Sequence, residues 1–395
     1  MGKALGSNKH ILLVASVIGF SLVGGSILLF SRAATNSNFF EPEDGTLANG
    51  SSVVADATAS AGKAVSFQAP VVVGSTGRCQ HTATRICYNG KLVYINGINM
   101  PWRQWSYAAG HGDFGGGTTD GVLANKADIG SRLSQFHNTG STVVRWWMFE
   151  GGAWQINRDS SGMPTSLNNA VYADIDAALQ LADQYNVYYN FTLFSGVAAG
   201  DFPTSWRTNA AHRAALANVL APLFARYKDN PRVMAWELYN EPEWQIWNNI
   251  DGANAADCVA LANALVASIR TNAPKAMTTI GEAQLTGDQM WKSVDLDFDS
   301  PHYYDNFTGT DVNPLVNTAA GLQAKYGMTR PIVLGEFPFV GTTSQNLTRL
   351  NEWYTRGYGG AWDWSLFYDQ TGDLIQPDHA AQTTFGSQHT DIGPQ

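Results

Sequence analysis

The chain has 395 residues, of which 44% are apolar and only 14% charged, with 39 Gly and 13 Trp. This composition excludes a disordered polymer and suits one large, loop-rich domain with small attachments. The formal net charge is −9 and no run rich in Lys or Arg occurs, which excludes the basic footprint of a nucleic-acid binder and favours neutral or cationic partners.

In chain order, residues 11–30 (ILLVASVIGFSLVGGSILLF) are uncharged and mostly apolar and follow Lys3 and Lys9. That is the length of a bilayer span, and the preceding lysines orient the amino terminus to the cytoplasm, so the rest of the chain is expected outside the cell. Ser31-Arg32-Ala33 has the small-x-small form of a cleavage site, so residues 1–33 read as either a membrane anchor or a signal peptide. Residues 34–76 are rich in Ala, Ser, Gly, Thr and Val, with alternating runs that read as short strands or a linker. Cys79 and Cys87 follow. A disulfide in an oxidising compartment and a pair of free thiols are both open.

From residue 84 the pattern sharpens. ICYNGKLVYING places Asn89-Gly90 between two β-prone runs, the dipeptide suited to a type I′ hairpin because both central residues need positive φ. Eight strand-like runs come next, at 94–100, 142–149, 186–194, 233–240, 276–281, 296–303, 331–337 and 359–366. Between them, helical periodicity is clearest at 122–138, 173–185, 209–228, 255–272, 315–326 and 344–357. Repeated β-then-α order predicts an α/β fold, a (β/α)8 barrel over residues 77–390 entered through the hairpin. A doubly wound sheet would carry a glycine-rich phosphate turn after its first strand, and GINMPWRQW is not one.

Barrel active sites lie at the carboxyl ends of the strands. Glu241 follows the fourth run in WELYNEPEW and Glu336 closes the seventh in IVLGEF, so the two carboxylates face each other across the barrel mouth. A pair of acids flanking one bond is what glycoside hydrolysis requires, one to protonate the leaving oxygen and one to attack or to activate water. Ten tryptophans, Trp102, Trp105, Trp146, Trp147, Trp154, Trp206, Trp244, Trp247, Trp362 and Trp364, fall at or beyond predicted strand ends. Flat rings with a polar edge suit sugar faces, so these are candidates for a carbohydrate cleft, with about half of them expected to be packed instead.

WELYNEP at 236–242, the Gly335-Glu336 pair, His302 and Tyr304 in H-x-Y, Arg145 at the second strand and the opening INGINMPW together resemble clan A glycoside hydrolases, most closely family 5, over residues 84–385. The resemblance implies retention of configuration, with Glu241 as acid/base and Glu336 as nucleophile. It implies that Arg145 and Tyr304 contact Glu336, that Asn240 binds the sugar 2-hydroxyl, and that His302 binds substrate or tunes Glu241. Trp364 would be the platform under the sugar at the cleavage point, with Trp102, Trp147 and Trp244 also binding substrate. The chain departs from the family in FTLFSG, where Phe194 and Ser195 stand in place of a His at the third strand's end. Separately, FEPEDGTLANGSSVVADATASAGKAVSF resembles the start of carbohydrate-binding modules of families 6 and 35, and reads as a remnant. Glu150, Glu237, Glu243 and Glu282 are read as structural or solvated.

The expected function is an exported, monomeric endo-acting β-glycanase of the cellulase or β-mannanase sort, acting on a polysaccharide or oligosaccharide. It would meet the membrane only through an uncleaved amino-terminal helix. An exo-acting β-glycosidase and an inactive, cell-surface glycan-binding barrel are the alternatives. The chemistry needs no cofactor, and no His-x-His or His-Glu-x-x-His string proposes a metal.

Overall fold

The computed structural model describes residues 51–55, 63–67, 76–103, 112–285, 290–305, 312–367 and 375–394. The expected anchor or signal (1–33) and the opening of the module-like segment lie outside them. No helix among the described residues is long and apolar enough to cross a membrane. The chain divides into two units, 1–70 and 71–395. In the first, Ser51–Ala55 pairs antiparallel with Lys63–Phe67, Ser51 opposite Phe67.

The second unit is built on eight parallel strands: β1 (Ile95–Asn99), β2 (Val143–Trp147), β3 (Tyr188–Ser195), β4 (Val233–Asn240), β5 (Met277–Glu282), β6 (Ser300–Pro301), β7 (Val333–Pro338) and β8 (Gly360–Trp364). They pair in the order β6-β5-β4-β3-β2-β1-β8-β7. Parallel bridges Asp299↔Ile332 and His302↔Glu336 join β6 to β7 and close the ring. Seven of the eight predicted runs are strands within a residue or two of the expected limits. The sixth, expected over 296–303, shortens to Ser300–Pro301, because Pro301 has no N–H to donate to the ladder. Pairing resumes past it, where His302 N–H donates to Glu282 O at 2.8 Å and Tyr303 N–H to Glu336 O at 2.8 Å.

Local caps set the helix limits. In α2 (Asn169–Tyr185) the Asn168 side chain accepts from Ala170 N and Asn186 ends the helix at φ 48°. Asn209 and Asn254 cap α3 (Ala210–Tyr227) and α4 (Ala255–Asn272) in the same way. Such Asn caps satisfy amides that the first turn leaves unpaired. α1 (Lys126–His137), α5 (Ala319–Tyr326) and α6 (Thr343–Thr355), the last with a Thr342/Gln345 capping box, complete the predicted set. A further helix, α7 (His379–Gln388), and a hairpin pairing Ile156–Arg158 with Pro164–Leu167 were not expected from the sequence. HAAQTTFGSQ has little apolar periodicity, and α7 is fixed by tertiary contacts instead: Asp378 caps it and Gln382 donates to the buried Asp363 at 2.6 Å.

The expected entry hairpin is present, Tyr88 opposite Lys91, with Asn89 at φ 50° and Gly90 at φ 75° as a type I′ turn requires. Its Ile86, Tyr88 and Val93 pack with Ile95, Val143, Met234, Met277, Phe298, Val333 and Trp362. This apolar layer plugs the amino-terminal end of the barrel and leaves polar side chains to fill the other end. Cys79 and Cys87 are disulfide-bonded with a Cα–Cα distance of 5.0 Å. Cys258 is free and buried.

Candidate active site

β4 ends at Asn240, and Glu241 turns the chain in a left-handed conformation, φ 49° and ψ 50°, into the short helix Pro242–Trp247. A non-glycine residue there is strained and persists only when its neighbours fix it. They do so here: Glu241 N–H donates to Gly281 O at 2.7 Å, and its carboxylate meets His302 Nδ1 at 2.7 Å through Oε1 and Trp244 Nε1 at 3.1 Å through Oε2. Burial pushes the Glu241 pKa up to about 7, against the pull of Arg145 and the Trp244 bond, with the Glu237 charge adding to the rise.

Glu336 comes from β7 on the opposite side of the mouth. Its Oε1 accepts from Arg145 Nη1 at 2.6 Å and its Oε2 from Tyr304 Oη at 2.7 Å. Burial raises its pKa, while His302, Arg145 and the Tyr304 hydroxyl pull it back. The two glutamates differ in kind: Glu336 is tied directly to a fixed cation, and Glu241 to neutral donors. Environments that separate two carboxyls in this way mark an acid and an anion.

One carboxylate oxygen of Glu241, one of Glu336 and a ring nitrogen of His302 lie within 4.8 Å of one another. Carboxyl pairs about 5–5.5 Å apart serve retaining glycosidases, whereas inverting enzymes need roughly 6.5–9.5 Å to admit water. The same three groups are also a conceivable metal ligand set. The 2.7 Å contact between His302 Nδ1 and Glu241 Oε1 is a direct hydrogen bond, shorter than the roughly 3.3 Å that two ligands about 2.0 Å from a tetrahedral ion would keep. A guanidinium already supplies the positive charge. His302 is wholly buried, and desolvation drops its pKa to about 4, so it is a neutral imidazole at neutral pH.

Arg145 organises the floor. Besides Glu336 it donates from Nη1 to Asn99 Oδ1 at 2.9 Å, from Nη2 to Asn240 Oδ1 at 2.7 Å, and from Nε to Glu237 Oε2 at 2.8 Å, with a further Nη2 bond to Glu237 Oε1. Asn190 Nδ2 adds a 2.7 Å bond to Glu237. A Cβ on Gly281 would lie 2.5 Å from Arg145 Nη2 and 2.7 Å from Glu237 Oε1, so β5 can pass this cluster only as glycine. Asn99, Asn190 and Glu237 were not singled out as site residues from sequence; the signal available for them was position on successive inward-facing strands. Glu243, read as structural, accepts from Ala283 N at 3.0 Å and Trp291 Nε1 at 2.7 Å, which anchors the helix behind Glu241. Ser195, at the place of the family's His, bonds Asp201.

Of the tryptophans, Trp102, Trp147 and Trp364 form one edge-to-face cluster with ring centroids 5.5–6.3 Å apart, and the Arg145 guanidinium stacks 4.0 Å over Trp147. Trp244, bonded to Glu241, meets the half-exposed Trp247 edge-on at 5.2 Å. Trp146, Trp206 and Trp362 fall among the packed share: their rings are wholly buried, donating to Asp113, Gly162 O and Ile95 O, so they belong to the core. Alternation along β2 turns Trp146 outward, against Phe114 and Phe191, whereas Trp362 shares the face of Trp364 on β8 but lies two residues deeper, in the plug at the amino-terminal end. Trp105 lies outside the described residues.

A closed parallel barrel with this pair of acids, neutral imidazole and guanidinium at its carboxyl end defines the class of barrel glycoside hydrolases that work by two carboxyls. Sequence comparisons narrow it. Residues 113–364 match the family model described as cellulase, glycosyl hydrolase family 5, and the chain belongs to that family. It is therefore a retaining glycoside hydrolase. It is similar to a mannan endo-1,4-beta-mannosidase of Mytilus edulis, 25% identical over 75% of this chain and 90% of that protein. It is also similar to mannan endo-1,4-beta-mannosidase A of Hypocrea jecorina, 24% identical over 72% of this chain and 69% of that one. The fold matches a beta-1,4-mannanase from the sea hare Aplysia kurodai with a TM-score of 0.64 at 22% identity, covering 79% of this chain and 97% of that chain.

Proposed function

We propose that the enzyme is an exported endo-β-1,4-mannanase in which Glu241 is the acid/base and Glu336 the nucleophile. The observation that carries the roles is the asymmetry of the two carboxyls, 4.8 Å apart or less: Arg145 and Tyr304 stabilise charge on Glu336, and burial keeps a proton on Glu241 near neutral pH. Glu336 attacks the anomeric carbon while Glu241 protonates the leaving oxygen. Glu241, now ionised, then takes a proton from the water that releases the glycosyl-enzyme. The amide of Asn240, its oxygen engaged by Arg145, is left to donate to the sugar 2-hydroxyl, and Trp364 supplies an apolar face beneath the ring.

Mannan as the substrate rests on the mannan endo-1,4-beta-mannosidase relatives of Mytilus edulis, Cryptopygus antarcticus and Hypocrea jecorina. Export rests on the apolar segment behind Lys3 and Lys9 and agrees with a closed Cys79–Cys87 disulfide. The deciding experiment incubates the purified chain with mannan, glucan and xylan and follows both product lengths and the anomer first released. Mixed-length manno-oligosaccharides released as the β-anomer are expected. Preference for glucan or xylan, or release of mannose alone, would overturn the reading.

A further inference from the structure

Glu237 is wholly buried on β4, four residues before Glu241, and its oxygens receive Arg145 Nε at 2.8 Å, Arg145 Nη2, and Asn190 Nδ2 at 2.7 Å. Every one of these partners is a donor, the setting of an ionised carboxylate, since a carboxylic acid would turn its own O–H toward an N–H. The bidentate grip fixes the plane of the guanidinium, and with that plane fixed Nη1 is aimed at Glu336 Oε1.

We infer that Glu237 is a positioning residue that also acts electrostatically, locking Arg145 onto Glu336 and cancelling enough of the guanidinium charge for Glu241 to retain its proton. Arg145 alone among these groups is cationic, and it lies in contact with one candidate catalytic carboxyl and close to the other. Uncompensated, its charge would favour ionisation of both, leaving no acid to protonate the leaving group. With Glu237 in place the sum over Arg145, Glu237 and an ionised Glu336 is negative, which opposes a further charge on Glu241. The groups facing Glu237 and Arg145 from each packed element are Asn99 on β1, Trp147 on β2, Asn190 on β3, Asn240 and Glu241 at the end of β4, Gly281 on β5, His302 and Tyr304 after β6 and Glu336 on β7. None besides Arg145 carries positive charge when His302 is neutral.

The inference rests on the roles proposed for Glu241 and Glu336, and the test separates the two. kcat/KM is measured against pH for the wild-type chain, E237Q and E241Q on whichever polysaccharide the wild type cleaves. Removing the compensating charge is expected to move both limbs of the E237Q profile to lower pH by about one unit, the order that one buried charge commands. A lower rate with unmoved limbs marks Glu237 as merely structural and overturns the inference. Retention of the wild-type alkaline limb in E241Q overturns instead the acid/base role beneath it. Should E237Q not fold, E237D keeps the charge but shortens the grip on Arg145, so both limbs are expected to stay in place while kcat falls; limbs moved to lower pH with the charge intact overturn the inference equally.

Discussion

Arg145 Nη1 and Glu336 Oε1 lie 2.6 Å apart, joining β2 to β7 across the mouth of the barrel. The bond gives Glu336 the more strongly cationic surroundings of the two catalytic candidates, which favour its anion, and makes its replacement the first test of the mechanism. E336Q keeps the shape but cannot form the glycosyl-enzyme, so polysaccharide hydrolysis is expected to be lost while thermal unfolding changes little. Full turnover by E336Q, measured as reducing ends released, would remove Glu336 from the nucleophile role.

Glu241 has a pKa near 7 because burial disfavours its charge. Activity that needs its proton is present below that pH and declines as pH rises through about 7, while the acidic limb follows ionisation of Glu336. In E241A, hydrolysis of polysaccharide should fall roughly 10²–10⁴-fold, the usual worth of a general acid. An aryl glycoside with an acidic phenol as leaving group needs no protonation, so its glycosylation step should be nearly spared. Equal losses on both substrates would argue that Glu241 acts otherwise.

Away from the mouth, Asp297 receives Arg78 Nη1 at 2.9 Å, Arg270 Nη2 at 2.9 Å, His81 Nε2 at 3.3 Å and the Thr278 amide at 2.7 Å. Burial alone would raise its pKa, but the His81 bond and the charges of Arg270 and Arg78 outweigh this and bring it to about 2. The folded value lies below that of an unfolded aspartate, so the stabilisation is fully present above about pH 4 and is lost as pH falls through 2. A shift of this size corresponds to about 2 kcal/mol. D297N should therefore lower Tm at pH 7 and flatten the acid side of the stability curve. Parallel wild-type and D297N curves between pH 2 and 5 would refute the linkage.

The Cys79–Cys87 bond closes a short loop whose His81 Nδ1 also accepts from Cys87 N at 2.8 Å. Opening it restores freedom to the unfolded loop, worth about 2 kcal/mol for a loop of this length. C79S/C87S, or the wild type under reductant, should unfold several degrees lower yet keep its pH profile, because the loop lies at the plugged end of the barrel. An unchanged Tm would show that the surrounding hydrogen bonds suffice.

The barrel was legible because both faces of its strands are buried, which keeps most of their residues apolar, and its helices keep a 3.6-residue period, so the order of strand and helix survived in the sequence even where boundaries did not. Glu241, Glu336, Arg145, Asn240, His302 and Tyr304 were legible through short motifs at strand ends, and the structure brings all six together. Glu237, Asn99 and Asn190 were not: their importance lies in a hydrogen-bond cluster that unites four strands distant in sequence. Tryptophan position was an ambiguous signal for a related reason. A one-residue step along a strand reverses the side chain, so Trp146 and Trp147 part company, one into the core and one under Arg145.

Trp244 offers the finest test of how Glu241 is tuned. Its indole N–H donates to Glu241 Oε2 at 3.1 Å and pulls the carboxyl pKa down, against the larger effect of burial. W244F removes the donor while keeping a ring over the carboxyl, so the ionised form loses a stabilising contact and the pKa rises. The alkaline limb should move to higher pH by a few tenths of a unit, the share of a single hydrogen bond of about 0.5–1 kcal/mol. The shift is opposite in sign to that expected of E237Q, which a general loosening of the site cannot produce. If the W244F limb instead moves to lower pH, the indole is not a donor to the ionised acid and burial with the charges of Arg145 and Glu237 sets the Glu241 proton.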